Sequence, residues 1–300
     1  MIGADIYHNL KEKYNLKSIL FCPYKEEMFD SMKTVYEEAL KDKEVEVCLM
    51  PIPYYNLYHL MPVGLSLEFG KQNFPEALNR RWDVIIFHYP YDTKNSITRP
   101  LITSAVLKCF CQHLVLISYS VVGGRELREQ ECLLSGAMNS DLIVLENEVQ
   151  RESMLKVHEK YGVKDIEVVA WGHPKYDIRE AEIPKEWAEK ANGRKVILLQ
   201  NSIVPYMNDV DKLKKIEKFV DSHNECILWR PHPLYVDTIK SIRPYELPIF
   251  QRIMEKVDIF DTTADYVNAF EFCDEMVSDG SSLDILFKRT GKPIIPFEIK

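Results

Sequence analysis

Short apolar runs alternate with amphipathic segments along most of the chain. Runs that are rich in Val, Ile and Leu, with no polar residue at alternate positions, are typical of strands buried on both faces of a parallel sheet. The predicted strands, in chain order, are Ser18–Cys22, Val45–Met50, Asp83–His88, Leu114–Tyr119, Leu142–Glu146, Ile166–Ala170, Lys195–Gln200, Cys226–Trp229, Val257–Phe260, Glu275–Ser278 and Pro293–Pro296.

Two of the segments between these strands, Glu26–Lys41 and Glu148–Tyr161, carry apolar residues at the spacing of one helix face. The first predicted stripe comprises Met28, Met32, Val35 and Ala39. The second comprises Val149, Met154, Leu155 and Val157. Because strands and helices alternate along the whole sequence, we predict an α/β fold with parallel sheets in a doubly wound arrangement.

A polar segment, His173–Gly193, separates two series of predicted strands. It contains Pro174, Pro184 and several charged residues, which are typical of a connection between domains. We therefore predict two Rossmann-like domains, residues 1–172 and 173–300. Domains of this kind bind ligands at the carboxyl ends of their strands, so we expect the two to face a shared cleft.

The composition excludes several classes of protein. With 300 residues, 46% of them hydrophobic and 28% charged, the chain is long enough for two globular domains. The 46 acidic residues outnumber the 38 basic ones, and the net charge of −8 argues against a nucleic-acid partner. No glycine-rich nucleotide motif, zinc-protease motif or serine-hydrolase motif occurs. No acidic cluster is typical of a metal site, and we predict neither a metal nor a cofactor.

Three features bear on the location of the protein. The seven cysteines are odd in number and lie mostly in apolar runs, which is typical of buried thiols in a reducing compartment. No secretion signal opens the sequence, and no apolar stretch reaches the roughly 18 residues of a membrane span. These observations predict a cytoplasmic protein and leave open a peripheral contact with the inner face of the membrane.

The most informative candidate site is the loop after the strand Glu275–Ser278. It reads Ser278-Asp279-Gly280-Ser281-Ser282-Leu283-Asp284. Gly280 permits a tight turn, and a helix that starts at Ser281 or Ser282 would offer backbone amides and hydroxyls to a phosphate or diphosphate. An ordinary helix cap, with Asp284 in the first turn, explains the same residues without a ligand.

A second candidate follows the strand Cys226–Trp229, in the sequence Arg230-Pro231-His232-Pro233. The two prolines restrict the backbone around His232. A guanidinium and an imidazole at the end of a strand suit a phosphate whose charge increases during a reaction, and His232 could protonate a leaving group. A stiff turn is the alternative interpretation.

Three further segments carry weaker signals. The segment Gly172-His173-Pro174-Lys175-Tyr176-Asp177 lies at the predicted domain boundary, where a hinge turn is the simplest explanation. The segments His88-Tyr89-Pro90-Tyr91-Asp92 and Ser118-Tyr119-Ser120 each begin at the end of a predicted strand. Tyrosines in such places are often only the walls of a cleft.

Several of these motifs together resemble the CDP-glycerol glycerophosphotransferase family, whose members synthesise teichoic acids and related polymers of the cell wall or capsule. The resemblance rests on Trp229-Arg230-Pro231-His232-Pro233, Ser278–Asp284 and Gly291-Lys292-Pro293-Ile294-Ile295, and the segment Gly172–Asp177 is similar to a hinge motif of that family. It implies a GT-B-like fold of two Rossmann-type domains. It also implies transfer of glycerol or ribitol phosphate from a CDP-alditol donor to a lipid-linked or polysaccharide acceptor, with release of CMP.

The resemblance also assigns roles, with residues 1–172 binding the acceptor and residues 173–300 binding the donor. The implied donor contacts are Gly172, Pro174, Lys175, Asp177, Arg230, Ser278, Asp279, Gly280, Ser281, Ser282 and Asp284. His232 would assist the departure of CMP. The histidine that many members use as the acceptor base is absent from Ser118-Tyr119-Ser120, so either Asp92, His88 or Tyr119 would replace it or the acceptor chemistry would differ.

Two other functions stay open. One is a GT-B nucleotide-sugar glycosyltransferase or UDP-sugar 2-epimerase, and the epimerases usually carry Ser-Gly-Gly where this chain has Gly280-Ser281-Ser282. The other is a non-catalytic relative that binds a nucleotide or a polymer, which the missing histidine favours.

Overall fold

The structure is a computed structural model of the chain, and it describes residues 1–24, 26–56, 61–63, 77–94, 98–177, 179–263 and 265–297. The chain divides into two compact units, Met1–Ile178 and Arg179–Lys300. Each unit contains a parallel sheet and helices, which confirms the predicted α/β class. Within the described residues, no helix is long and apolar enough to cross a membrane.

A parallel sheet of six strands forms the centre of the N-terminal unit. Its strands are β1 (Ser18–Cys22), β2 (Glu46–Leu49), β5 (Trp82–Phe87), β7 (Cys111–Ile117), β8 (Leu142–Val144) and β9 (Glu167–Val169). They lie in the order β2-β1-β5-β7-β8-β9. Strand β1 is buried along its whole length, and a strand covered on both faces needs a continuous apolar sequence.

Helices pack on both faces of this sheet, since alternate residues of β1 enter two different apolar clusters. The helices are α1 (Ile2–Tyr14), α2 (Lys33–Lys41), α3 (Ser104–Cys109), α4 (Glu129–Cys132), α5 (Ser135–Asn139) and α6 (Glu148–Tyr161). Short 3₁₀ turns occupy Glu26–Ser31, Asp92–Lys94 and Pro174–Tyr176. The segment Glu26–Lys41, predicted as one helix, therefore consists of a 3₁₀ turn followed by α2.

A small antiparallel sheet is a feature that the sequence analysis did not predict. It consists of β3 (Tyr54–Asn56), β4 (Met61–Val63) and β6 (Thr98–Pro100), in the order β4-β3-β6. Each strand has three residues, and Pro62 and Pro100 lie within two of them. Such short strands show no periodicity, and proline signals an edge or a break in a sheet.

The C-terminal unit is built around a parallel sheet of five strands in the order β12-β11-β10-β13-β14. The strands are β10 (Val196–Asn201), β11 (Cys226–Pro231), β12 (Ile259–Phe260), β13 (Glu275–Ser278) and β14 (Ile294–Pro296). The helices are α7 (Lys185–Ala191), α8 (Ile203–Asn208), α9 (Lys212–Asp221), α10 (Tyr235–Ile242), α11 (Leu247–Lys256), α12 (Val267–Phe272) and α13 (Ser282–Phe287).

The two predicted helix stripes have different outcomes. The four residues of the first are all buried, as predicted. The second is wrong for Val149 and Leu155, which are exposed, because α6 turns Gln150 and Ser153 inward with Met154. Both polar side chains bind backbone amides of nearby segments: the Gln150 side-chain oxygen accepts from the Glu146 amide, and the Ser153 hydroxyl accepts from the Leu127 amide.

Candidate functional site

The carboxyl ends of three neighbouring strands bring the C-terminal candidates together. Gln200 of β10 pairs with Arg230 of β11 on one side and with Ser278 of β13 on the other. The segments that follow these strands, which include His232 and the loop after Ser278, therefore leave the sheet at the same edge. Such an edge is where open α/β sheets place ligands.

Asp279 holds the loop after β13 against the end of β10. One carboxylate oxygen accepts from the Ser202 amide at 2.7 Å, and the other accepts from the Asn201 side-chain nitrogen at 3.3 Å. The ammonium of Lys212 lies 2.7 Å from the second oxygen, and both charged side chains are buried, with 6% and 5% exposed. Both carboxylate oxygens of Asp279 thus bind groups of the protein, and the negative charge is paired with that of Lys212.

The loop between β13 and α13 forms a capped helix start. Gly280 has a φ of +94°, which a residue with a Cβ rarely adopts. The Ser281 hydroxyl accepts from the Leu283 amide, and the hydroxyls of Ser278 and Ser281 lie 2.7 and 3.2 Å from a carboxylate oxygen of Asp284. These contacts are those of an ordinary cap. The hydroxyl of Ser282 has no hydrogen-bond partner among the described residues.

Arg230 lies at the end of β11 and is mostly buried. Its Nη1 donates to the Asp261 carboxylate at 2.5 Å and to the Thr263 carbonyl at 2.9 Å. These bonds fasten β11 to the segment that follows β12. They also pair the guanidinium with a carboxylate, so Arg230 has a structural role in addition to any contact with a phosphate.

His232 is partly exposed just beyond β11. Its backbone amide donates to the Asn201 carbonyl at 2.9 Å, which joins it to the end of β10. Its Nδ1 accepts from the Leu234 amide at 3.1 Å, so in the neutral ring the proton is on Nε2. This tautomer makes Nε2 a hydrogen-bond donor at the carboxyl edge of the sheet.

The segment Gly172–Asp177 is fastened within the N-terminal unit. The Asp177 carboxylate accepts from the backbone amides of Ile2 and Gly3, at 2.6 and 2.9 Å, and so caps α1. Lys175 forms a buried ion pair with Asp30 at 3.2 Å. Pro174 begins the 3₁₀ turn Pro174–Tyr176, which contains Lys175 and directly precedes Asp177. The structure therefore gives Lys175 and Asp177 partners that account for both residue types without a nucleotide.

Each of the three residues considered as a replacement base is held by hydrogen bonds, burial or ring packing within the N-terminal unit. Both carboxylate oxygens of Asp92 accept from Ser104, and burial raises the pKa of this carboxyl group. His88 is fully buried, and burial lowers its pKa to about 3. Burial also raises the pKa of Tyr119, which packs against the rings of other tyrosines.

The hydrogen bonds of His88 fix its tautomer. Its Nε2 accepts from the Tyr24 amide at 2.7 Å. The Ser31 hydroxyl donates to the Met28 carbonyl, so it accepts from Nδ1 of His88. Both ring nitrogens are therefore used, and the neutral ring joins the end of β5 to the segment after β1.

The sequence analysis missed Ser202 and Lys212. Ser202 could have been found, because it follows a predicted strand just as His232 does. Lys212 gave no signal, because its position at the start of an ordinary amphipathic helix is typical of a solvated charge. In the described residues, no group of three or more His, Cys, Asp or Glu side chains is arranged to hold a metal.

Comparison with known proteins finds relatives only at the level of structure. No family model matches the chain, and no curated protein matches it. MnaA of S. aureus in complex with UDP has a similar fold, with a TM-score of 0.57 and 11% identity over 93% of this chain and 79% of that one. The UDP-GlcNAc 2-epimerase of Methanocaldococcus jannaschii, in complex with UDP-GlcNAc and UDP, gives 0.54 and 12% over 94% and 83%. The enzyme of Neisseria meningitidis, bound to UDP-GlcNAc, gives 0.53 and 12% over 92% and 81%.

These comparisons support the predicted GT-B-like class and overturn the resemblance to CDP-glycerol glycerophosphotransferases. The similar structures are UDP-GlcNAc 2-epimerases, so three predictions are wrong: the phosphotransferase activity in teichoic acid or capsule synthesis, the CDP-alditol donor, and its lipid-linked or polysaccharide acceptor. The physical reason lies in the motifs. Arg230, Asp279 and Asp284 make bonds that shape the end of a parallel sheet, so their spacing reflects the fold and does not specify the donor.

Proposed function

We propose that this chain is a nucleotide-sugar enzyme of GT-B type that binds a UDP-sugar, with its C-terminal unit holding the diphosphate. The observation that carries the proposal is the meeting of His232 and the loop Ser278–Ser282 at the carboxyl edge of one parallel sheet. The similar fold of UDP-bound structures supports it. The nucleotide-sugar enzyme, an alternative in the sequence analysis, is therefore preferred to the CDP-alditol phosphotransferase.

The charges at this edge favour a diphosphate. The carboxylates of Asp279 and Asp261 are each paired with a buried cation, so neither presents an unbalanced negative charge. The tautomer of His232 makes Nε2 a hydrogen-bond donor at this edge, and the hydroxyl of Ser282 is a second donor there. The backbone amide of Ser282, the first residue of α13, adds a third donor, because the first amide of a helix has no acceptor within it. The next two amides, those of Leu283 and Asp284, donate to Ser281. Hydrogen-bond donors beside the charge-paired carboxylates of Asp279 and Asp261 suit a bound anion.

Within this class, we propose 2-epimerisation of the sugar as the reaction, on the model of the enzymes with similar folds. One observation favours a second candidate, transfer of the sugar to an acceptor. The loop reads Gly280-Ser281-Ser282, whereas 2-epimerases usually carry Ser-Gly-Gly, and two serines add hydroxyls and side-chain bulk beside the phosphate.

A single incubation separates the two candidates. The full chain is mixed with UDP-GlcNAc, and the products are followed by proton and phosphorus NMR. Epimerisation predicts a new sugar spectrum with the diphosphate linkage intact. Glycosyl transfer predicts release of UDP that depends on an added acceptor. A sugar and a diphosphate that both stay unchanged, with and without acceptors, contradict the proposal.

His232→Ala is the matched variant for this assay. Loss of a hydrogen bond to a phosphate, or of a general acid, lowers turnover by about 10²-fold or more. His223→Ala serves as the control, since His223 lies at the opposite end of the same parallel strands, three residues before β11. Equal activity of the His232 variant and the wild type contradicts the role given to this histidine.

A further inference from the structure

The N-terminal unit contains a cavity of about 80 Å³ that is separate from the residues discussed above as a nucleotide site. Strands β7 and β8 and helices α4, α5 and α6 contribute its walls. Most of the lining is apolar, including Leu116, Ile143, Leu134 and Met154. The polar lining residues include Ser118, Ser120, Glu131, Glu146, Gln150 and His173. A mostly apolar pocket with several polar groups is typical of small-molecule sites.

Gln150 is one of the polar side chains that line this cavity. It lines the wall, and only 1% of it is exposed to solvent. Its Oε1 accepts from the Glu146 amide at 3.2 Å, and this bond fixes the orientation of the side-chain amide because the backbone group can only donate. The Nε2 group is therefore a donor, and it is buried with no hydrogen-bond partner among the described residues.

An unpaired donor in such a place is costly. Native proteins pair nearly all their buried polar groups, and a buried donor without a partner is destabilising. Helix α6 turns Gln150 inward although exposed positions of the same helix carry Val149 and Leu155. The bond to Glu146 requires only the oxygen of the side chain, so it leaves the nitrogen unexplained.

We propose that this cavity binds a small neutral molecule with an apolar body and one carbonyl oxygen, which accepts from Nε2 of Gln150. The apolar walls match the body, and a carbonyl oxygen is the acceptor that an amide donor needs. The ligand class is a carboxamide or similar carbonyl compound. All the residues that line the cavity belong to the N-terminal unit.

The carboxylates near the cavity argue for a neutral ligand. Glu146 and Glu131 both line it, and they disfavour an anion. A cation gains little, because the Glu131 carboxylate is already paired with Arg125 through two hydrogen bonds. The Glu146 carboxylate accepts from the Val122 amide and from the Tyr176 hydroxyl, so its oxygens also have donors.

The test uses benzamide as the probe and the full chain labelled with ¹⁵N. Benzamide has an apolar ring and one carbonyl, toluene lacks the acceptor, and benzoate carries a negative charge. We expect the Gln150 side-chain amide resonances to shift on titration with benzamide, and benzamide to bind about tenfold tighter than toluene or benzoate. The proposal is overturned if toluene binds as tightly as benzamide. It is also overturned if the Gln150 resonances do not shift at the solubility limit of benzamide, which would mean that water alone pairs with the amide.

Two variants examine the same site. Gln150→Met keeps the length of the side chain and removes the donor, so benzamide should bind about tenfold more weakly. Ala137→Leu fills the cavity from another helix and should abolish binding. Val149→Ala, at an exposed position of α6, is the control and should bind like the wild type. Unchanged binding by Ala137→Leu overturns the proposal, and if either variant fails to fold, the comparison of the three probes on the wild type decides.

Discussion

Breaking the buried ion pair of Asp279 and Lys212 should destabilise the edge of the sheet that carries the candidate site. Asp279→Asn removes the negative charge but keeps an oxygen for the Ser202 amide. Lys212 then loses its charged partner while its ammonium stays buried. At 2.7 Å and an effective dielectric constant of about 20, the attraction between the two charges is about 6 kcal/mol before desolvation.

The net loss is smaller than that attraction, because both ions lost water when they were buried. Removing one partner of a buried pair costs about 3–5 kcal/mol. We expect a loss of this size in the C-terminal unit, which at the lower limit corresponds to more than about 100-fold faster amide hydrogen exchange in β10 and β13. Hydrogen exchange with mass spectrometry on the full chain measures it.

Two controls make the result specific. Asp211→Asn breaks an exposed pair with Lys214, where both side chains are more than half exposed, and should change stability by less than about 1 kcal/mol. The double variant Asp279→Asn with Lys212→Met should lose less than the sum of the single variants. If exchange in Asp279→Asn accelerates no more than in Asp211→Asn, the reasoning about the buried pair is refuted.

Three other predictions concern the N-terminal unit. Burial lowers the pKa of His88 to about 3, against about 6.5 in the unfolded chain, so the folded protein keeps its full stability above about pH 6.5 and loses about 1.4 kcal/mol per pH unit below it. In urea unfolding at pH 7 and pH 5, His88→Asn should therefore lose less stability on acidification than the wild type. An equal loss in the two proteins would contradict the prediction. Gly172→Ala should cost more than the about 1 kcal/mol expected for Gly162→Ala, since both have positive φ but only at Gly172 would the new Cβ meet a neighbour, 2.9 Å from Ile2; equal midpoints of thermal unfolding would contradict the close contact. Asp177→Ala should cost about 1–2 kcal/mol by uncapping α1, and unchanged exchange of the first α1 amides would show that the cap is dispensable.

Most of the fold could be predicted from the sequence because the strands of both parallel sheets are continuous apolar runs. The run Ser18–Cys22 coincides with β1, and Glu275–Ser278 coincides with β13. The antiparallel strands escaped prediction because they are held by pairing with each other, which no local pattern of three residues reveals. The helix Glu148–Tyr161 was bounded correctly, but its inner face was not, because Gln150 faces inward to bind a backbone amide.

The candidate site was predicted less completely. The ends of strands identified the loop Ser278–Ser282 and His232, since position alone marks the carboxyl edge of a parallel sheet. The roles of Arg230 and Asp279 could not be predicted, because their partners are 31 and 67 or more residues distant in the chain. The donor class was wrong because motifs at the end of a sheet are shared by proteins of one fold that act on different nucleotides.

The most direct test of the central claim is a calorimetric titration of the full chain with UDP, UDP-GlcNAc and CDP-glycerol. We expect UDP and UDP-GlcNAc to bind and CDP-glycerol to bind at least about tenfold more weakly, and we expect His232→Ala to weaken binding of UDP by about tenfold through loss of one hydrogen bond to a charged phosphate. Preference for CDP-glycerol, or no binding of either uridine nucleotide, would contradict the account.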